Sequence, residues 1–223
     1  MAGSIRICLI ADGFYEDFRT CLDSIKKFTS TPISIFSSGK ENKEVPELFG
    51  GAWVKNKLGW GHSINQFLNN EKENYLLFMD PSTRFLGDAI TPALAKLESG
   101  YQGVGWRGGL VNVGDDWRSV EDKGEGDVDV LFSYFFAVDR EFLLKAGGAN
   151  PSATYYRNAD IEMSLAMRAA GGKLWQMDLP LEQGRHHGYH DVDSEYREKK
   201  SKENYNRILE KFRGRNEILV ARR

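Results

Sequence analysis

Asp80 stands where an uninterrupted apolar run ends: Tyr75-Leu76-Leu77-Phe78-Met79 leads into it, and Pro81 stops the run. A short continuous apolar run closed by a turn signal fits a strand buried on both faces. In open α/β sheets ligands bind at the carboxyl ends of such strands. A carboxylate there can hold a divalent cation or a sugar hydroxyl, or it can cap the turn that Pro81 and Ser82 begin; these residues alone leave both readings open. A second group lies in Arg185-His186-His187-Gly188-Tyr189-His190, which holds three of the chain's four histidines. His186 and His190 are four apart, a spacing that serves one zinc on a helix, but Gly188 between them disfavours that helix. The bland alternative is a solvated loop. A third candidate is Asp160, early in the helix that follows Tyr155-Tyr156-Arg157-Asn158. The helix dipole favours an ionised carboxylate there, although acids at helix starts are common.

The elements that must position these groups alternate. Ile5–Ile10 reads as a first strand, 17–28 as a helix, 32–36 as a second strand and 52–54 as a short third. The segment 40–47 is polar and loop-like. Lys57-Leu58-Gly59-Trp60-Gly61 is a turn, with His62 opening a helix that runs to Asn70. Tyr75–Met79 is the central strand. Asp88 caps a helix to Ser99, and 103–106 is a short strand. Residues 107–129, rich in Gly and Asp, read as a functional loop. The run 130–138 reads as a strand, its length leaving a helix open, 139–146 as a short helix, 160–170 as a helix with Asn158 as its cap, and 173–177 as a late strand. A long mixed-charge helix from Ser194 to about Arg213 ends the pattern, and its interleaved acids and bases read as a solvated face. This βα alternation predicts one α/β domain with a mostly parallel central sheet flanked by helices.

The 223 residues suffice for such a core, and a net charge of −2 gives no bulk case for nucleic-acid binding. No segment reaches the roughly 18 apolar residues of a membrane span. Two cysteines make no disulfide framework. A cytoplasmic protein is the expectation, with peripheral membrane association left open.

Four stretches taken together are ICLIADGFYEDFRTCLDSI, GWGHSINQFLNN with YLLFMDPSTRF, YFFAVDREFLLKAGG, and YYRNADIEMSLAMRAAGGKLW followed by the histidines. In order and spacing they resemble the family 2-like glycosyltransferases of the GT-A fold over nearly the whole chain. The segment from YYRNAD onward resembles one bacterial branch. The resemblance implies transfer of a sugar from a nucleotide-sugar donor to an acceptor hydroxyl, with inversion and with Mg²⁺ or Mn²⁺. It implies a nucleotide-binding half over 1–106, an acceptor and catalytic half over 107–190, and a helical tail over 191–223.

Residue by residue, the resemblance places Ala11 and Asp12, then Ser37 and Ser38, then Asp80 at the nucleotide-binding edge. Read from the residues alone, Gly59-Trp60-Gly61 fits a close pass by the donor, with His62 opening the next helix, and fits equally a tight turn with Trp60 packed inward. The family's Asp-x-Asp metal motif appears as Asp80-Pro81-Ser82, with a hydroxyl, in place of the second carboxylate, that would hold the metal through water, more weakly than a carboxylate. His186 matches the histidine that completes the metal site, with His190 in reserve, so Asp80 and His186 would supply an oxygen and a nitrogen ligand. Asp160 falls at the catalytic base, with Ala159 where a Glu is usual and Glu162 as a further acid. Trp106, Arg107, Trp117 and Arg118 are candidates to stack on and bind an acceptor sugar.

Ser82 and Ala159 also fit a second reading, a weak or inactive GT-A-fold protein that binds a nucleotide sugar or glycan. A dinucleotide enzyme or a methyltransferase would carry a glycine-rich fingerprint after the first strand, and Ala11-Asp12-Gly13-Phe14 has none. A nucleotidyltransferase would want a glycine-rich basic loop there, which is also missing.

Overall fold

The computed structural model describes residues 3–186 and 190–222. Its main sheet has eight strands in the order β3-β2-β1-β4-β11-β6-β12-β9. These are β1 (Ile5–Ile10), β2 (Ile33–Ser38), β3 (Ala52–Val54), β4 (Tyr75–Met79), β6 (Gly103–Gly105), β9 (Gly126–Val128), β11 (Phe135–Asp139) and β12 (Leu174–Gln176). The first half, β3 to β4, is wholly parallel. β11 runs antiparallel to both β4 and β6. Because of that reversal, the start of β11 lies beside the carboxyl end of β4, with Phe135 paired to Met79.

The strands alternate between two cores, as the two-residue period of a strand requires. Ile7, Leu9, Leu77, Met79, Phe135 and Ala137 face a layer containing α1 (Tyr15–Phe28) and α4 (Ile90–Glu98). Cys8, Leu76, Phe78, Phe136 and Val138 face α3 (Trp60–Asn70), α5 (Arg140–Lys145) and α6 (Ala159–Ala169). This accounts for the unbroken apolar run before Asp80. Asp88 accepts hydrogen bonds from the N–H groups of Ile90 and Thr91 and so caps α4 as expected.

The structure corrects four expectations. The run 130–138 is two strands, β10 (Val130–Leu131) and β11, because the chain turns at 132–134. The expected loop over 107–129 contains β7 (Gly108–Val111), β8 (Val120–Glu121) and β9, and β7 and β8 build a small sheet with β10. The polar segment 40–47 ends in a short helix, α2 (Val45–Phe49). The last helix, α7 (Ser194–Phe212), is no solvated appendage: Ser201, Asn204, Ile208 and Phe212 are buried, at spacings of three and four. Residues Val111, Trp117, Val130, Leu165, Ile208, Phe212 and Ile218 form a third apolar cluster beneath it. A further pair of strands, β5 (Thr83–Phe85) and β13 (Leu181–Gln183), carries the chain back past Asp80 toward His186.

Candidate active site

Asp80 leaves β4 into a tight turn. Its carbonyl accepts from Thr83 N–H at 2.9 Å. Its carboxylate Oδ1 accepts from Ser82 N–H at 2.8 Å and from Ser82 Oγ at 2.5 Å. The hydroxyl at the place of the motif's second acid thus fixes the first acid and adds no charge. Oδ2 is left facing His186, whose Nε2 lies 3.4 Å away, buried and without a hydrogen-bond partner. The His186 ring stacks on Tyr156 at 4.7 Å and meets Tyr134 edge-on at 5.7 Å. Two aromatic faces therefore fix the imidazole plane while its nitrogen remains unpartnered. A carboxylate oxygen and a buried imidazole nitrogen at this separation fit two ligands of one divalent cation. Among the described residues no cluster of three or more Cys, His, Asp or Glu side chains could hold a metal. The remaining ligands would then be water or substrate oxygens, as is usual for Mg²⁺.

Asp80 and His186 line a cavity of about 360 Å³ with Asp12, Ser38, Lys57, Trp60, Ser82 and Arg185. Asp12 is ion-paired with Lys57, which also reaches Glu41 at 3.2 Å. Buried Asn42 donates to Asp12 at 3.0 Å and to the Ser38 carbonyl at 2.9 Å, so one side chain ties together the ends of β1 and β2. Arg185 is held by Asp191, with bonds of 2.5 and 3.1 Å.

Asp160 lines a second cavity of about 540 Å³. It is buried in the first turn of α6. Its Oδ2 accepts from the Ser133 N–H at 2.9 Å and the Ser133 hydroxyl at 3.2 Å, and its Oδ1 from the Ile161 N–H at 2.9 Å. Burial pushes the carboxyl up to about 6, against the pull of these hydrogen bonds. A carboxylate near 6 is ionised at neutral pH yet basic enough to accept a proton. The two cavities share three wall residues, Ser133, Tyr156 and His186.

Comparison with solved structures finds this arrangement of elements elsewhere. The chain superposes on the crystal structure of GalNAc-T7 with UDP, GalNAc and Mn²⁺ with a TM-score of 0.69 and 14% identity, over 94% of this chain and 48% of that one. It superposes on the mannosyltransferase PcManGT from Pyrobaculum calidifontis in complex with GDP-Man and Mn²⁺ with a TM-score of 0.63 and 15% identity, over 86% of this chain and 60% of that one. The chain has the GT-A fold. It spans about half the length of the first of these structures and 60% of the second. No family model matches it, and no curated protein matches it significantly in sequence.

Within this GT-A fold the remaining predicted residues divide. Asp12, Ser38, Trp60, Asp80, Ser82 and His186 converge on the first cavity. Ala11 and Ser37 are fully buried beneath it and are not among its lining residues. Gly59 faces the loop after α5: a Cβ there would lie 2.5 Å from the Thr154 Cα, so glycine is required by chain contact. His62 is exposed on α3, away from both linings. His190 is exposed and lines the second cavity, not the first; its N–H donates to the His186 carbonyl at 2.9 Å. His187, Gly188 and Tyr189 lie outside the described residues. Trp117 and Arg118 line the second cavity, whereas Trp106 packs in the core against the first helix layer, with Arg107 over its ring at 4.4 Å. Glu162 is buried and committed elsewhere, to Arg207 at 3.1 Å and Asn150 at 2.6 Å. Asn158 sits at the start of α6 with φ 66°, and its amide donates to the Ser201 carbonyl without capping the helix.

Sequence reasoning passed over Ser133, Tyr156, Lys57 and Arg185. The lone polar Ser133 inside an apolar run was the available signal for the first of them.

Proposed function

We propose that this chain is a glycosyltransferase that moves a sugar from a nucleotide-sugar donor to an acceptor hydroxyl, with inversion and with the help of Mg²⁺ or Mn²⁺. The observation that carries the reading is the pair of cavities meeting at Ser133, Tyr156 and His186, with Asp80 in one and Asp160 in the other. An in-line displacement needs this separation of leaving group and base. The two solved structures of the same fold hold Mn²⁺ with UDP and GalNAc, or with GDP-Man. The likeness of the YYRNAD segment to one bacterial branch of the family 2-like enzymes supports the same reading.

In this proposal residues 1–106 supply most of the donor site, 107–190 the acceptor side together with Arg185 and His186 of the donor cavity, and 191–223 the closing helix. Asp80 and His186 would hold the cation, which would offset the negative charge developing on the leaving diphosphate. Lys57 and Arg185 line the same cavity, each already paired with acids, Lys57 with Asp12 and Glu41 and Arg185 with Asp191. Ser82 keeps one oxygen of Asp80 engaged so that the other stays directed at His186. The acceptor oxygen attacks the anomeric carbon from the second cavity. Its proton passes to Asp160, and the anomeric carbon–oxygen bond to the diphosphate breaks as the new glycosidic bond forms. Burial of Asp160 raises its proton affinity, and the Ser133 and Ile161 N–H groups fix its orientation.

The test is a transfer assay with UDP- and GDP-sugars, with and without Mn²⁺, the anomeric configuration of the product being read by NMR. Retention of configuration would refute inversion. Donor binding without either transfer or hydrolysis would instead make the chain a nucleotide-sugar-binding protein.

A further inference from the structure

Asn158 has the chemistry of a helix cap, yet it does not cap α6. A capping side chain accepts from the second or third N–H of its helix, which in α6 are those of Asp160 and Ile161. Two other helices of the chain show the ordinary arrangement. Asp139, at ψ 114°, accepts from the Phe142 N–H of α5 at 2.9 Å, and Asp193, at ψ 127°, accepts from the Tyr196 N–H of α7 at 2.8 Å. In both the donor is the third residue of the helix.

Asn158 instead lies at φ 66° and ψ −7°, and no side chain caps α6. This is the left-handed region, not the extended backbone of a capping residue. Such a conformation persists only where the surroundings over-determine it. Here α7 holds it from two sides. Asn204 donates to the Arg157 carbonyl at 2.8 Å, and the Asn158 amide donates to the Ser201 carbonyl at 3.1 Å. The third N–H of α6, which a cap would take, goes to the neighbouring carboxylate. Ile161 N–H donates to Asp160 Oδ1 at 2.9 Å, while Ser133 N–H occupies Oδ2. A backbone donor on each oxygen fixes the plane of the carboxylate and favours its ionised form.

Resting on the reading of Asp160 as general base, we propose that Asn158 is a positioning residue: by turning to α7 it withholds the cap from α6 and leaves the Ile161 N–H to the base. The diversion gives up the stability of an ordinary cap and gains a carboxylate oriented by its own helix. Other ionisable groups face the same cavity, namely Arg118, Arg157, His186, His190, Tyr134 and Tyr156. The substitutions that test the proposal alter none of them.

The test compares Asn158→Ser with Asn158→Gly in the full chain without donor. Both lose the bond to Ser201. Serine is a preferred cap and suits the left-handed region poorly, so it should move to the capping position and take the Ile161 N–H. Glycine keeps the backbone angle and offers no rival acceptor. The Asp160 carboxyl is followed by carbon-13 NMR, its signal identified by its loss in Asp160→Asn, and the Ile161 N–H by its proton shift over the same pH range. Wild type and Asn158→Gly should titrate at about 6 in both signals. Asn158→Ser should titrate at about 7 or above, the scale of one hydrogen bond to a charged group, and its Ile161 N–H should no longer follow the carboxyl. Its melting temperature should be no lower than that of Asn158→Gly, which sets the change apart from a loss of stability. Asn158→Thr repeats the test with a second capping residue if the serine variant does not fold. Equal titration of the serine and glycine variants overturns the proposal: at about 6, cap and base do not compete, and raised in both, the lost bond to α7 is the cause. A transfer rate indifferent to Asp160→Asn sinks the general-base reading alone; a slow Asp160→Asn with an unmoved serine variant sinks this inference alone.

Discussion

Asp80 and Asp160 are tied to the same residue from opposite sides. Asp80 N–H donates to the Ser133 carbonyl at 3.0 Å, and the Ser133 N–H and hydroxyl donate to the Asp160 carboxylate at 2.9 and 3.2 Å. The register of the two acids is thereby set by backbone bonds and needs no contact between their side chains. Ser133→Ala removes only the hydroxyl bond. That bond favours the ionised carboxylate, so losing it raises Asp160 further. The acid limb of the pH–rate profile should move up from about 6, with the rate above pH 8 little changed. An unmoved limb would detach Ser133 from the titration of Asp160.

Asp160→Asn should cut transfer by about 10²- to 10⁴-fold, the usual range for general-base help, while donor affinity stays near wild type. The variant also tests a stability effect. The folded carboxyl titrates at about 6 against an ordinary value of 3.8. Its penalty is therefore absent below about pH 4, grows as pH rises, and is complete above about pH 6, on the order of 3 kcal/mol. Melting temperatures at pH 4, 5 and 7 should fall along this path for the wild type. They should lose this component of the slope in Asp160→Asn.

Asp80→Asn keeps an oxygen able to accept from Ser82 but removes the charge. The melting temperature without ligand should hold, whereas Mn²⁺-dependent stabilisation by UDP or GDP should disappear. His186→Ala should lower the Mn²⁺ affinity read from that stabilisation more than tenfold if its nitrogen binds the cation, since even outer partners of a metal ligand commonly matter that much. A full Mn²⁺ response in both variants would move the cation elsewhere.

Arg207→Met leaves Glu162 buried without its ion partner. Breaking one side of a buried pair costs about 3–5 kcal/mol; the partial exposure of Arg207 places this case toward the lower end. Urea unfolding should report the loss, while the pH midpoint of transfer stays with Asp160. A lost acid limb with unchanged stability would reinstate Glu162 as the base.

The parallel half of the sheet was legible because its strands are short, apolar and closed by turn residues; Ala52–Val54 and Tyr75–Met79 were read to the residue. Asp80, Asp160 and His186 were reached through resemblance more than through pattern. Both acids are buried, and what separates them is their partners, Ser133 for Asp160 and Arg207 of α7 for Glu162, each distant in sequence. The break at 132–134 is marked in the sequence by the lone polar Ser133 alone; the bend itself comes from the reversal of β11 against β4. The burial of α7 was readable in the spacing of Asn204, Ile208 and Phe212, but the dense charges around them masked it.

The wall shared by the two cavities has a thermodynamic meaning. Ser133, Tyr156 and His186 face both chambers, and the segment carrying Tyr156 is pinned to α7 by Asn204, which donates to the Tyr155 and Arg157 carbonyls at 2.8 Å each. An occupant of either chamber acts on the same few side chains. On the transferase reading, whatever factor the nucleotide imposes on the affinity of the acceptor, the acceptor must impose on the nucleotide. That coupling should change with substitutions at Asn204, a residue that lines neither chamber.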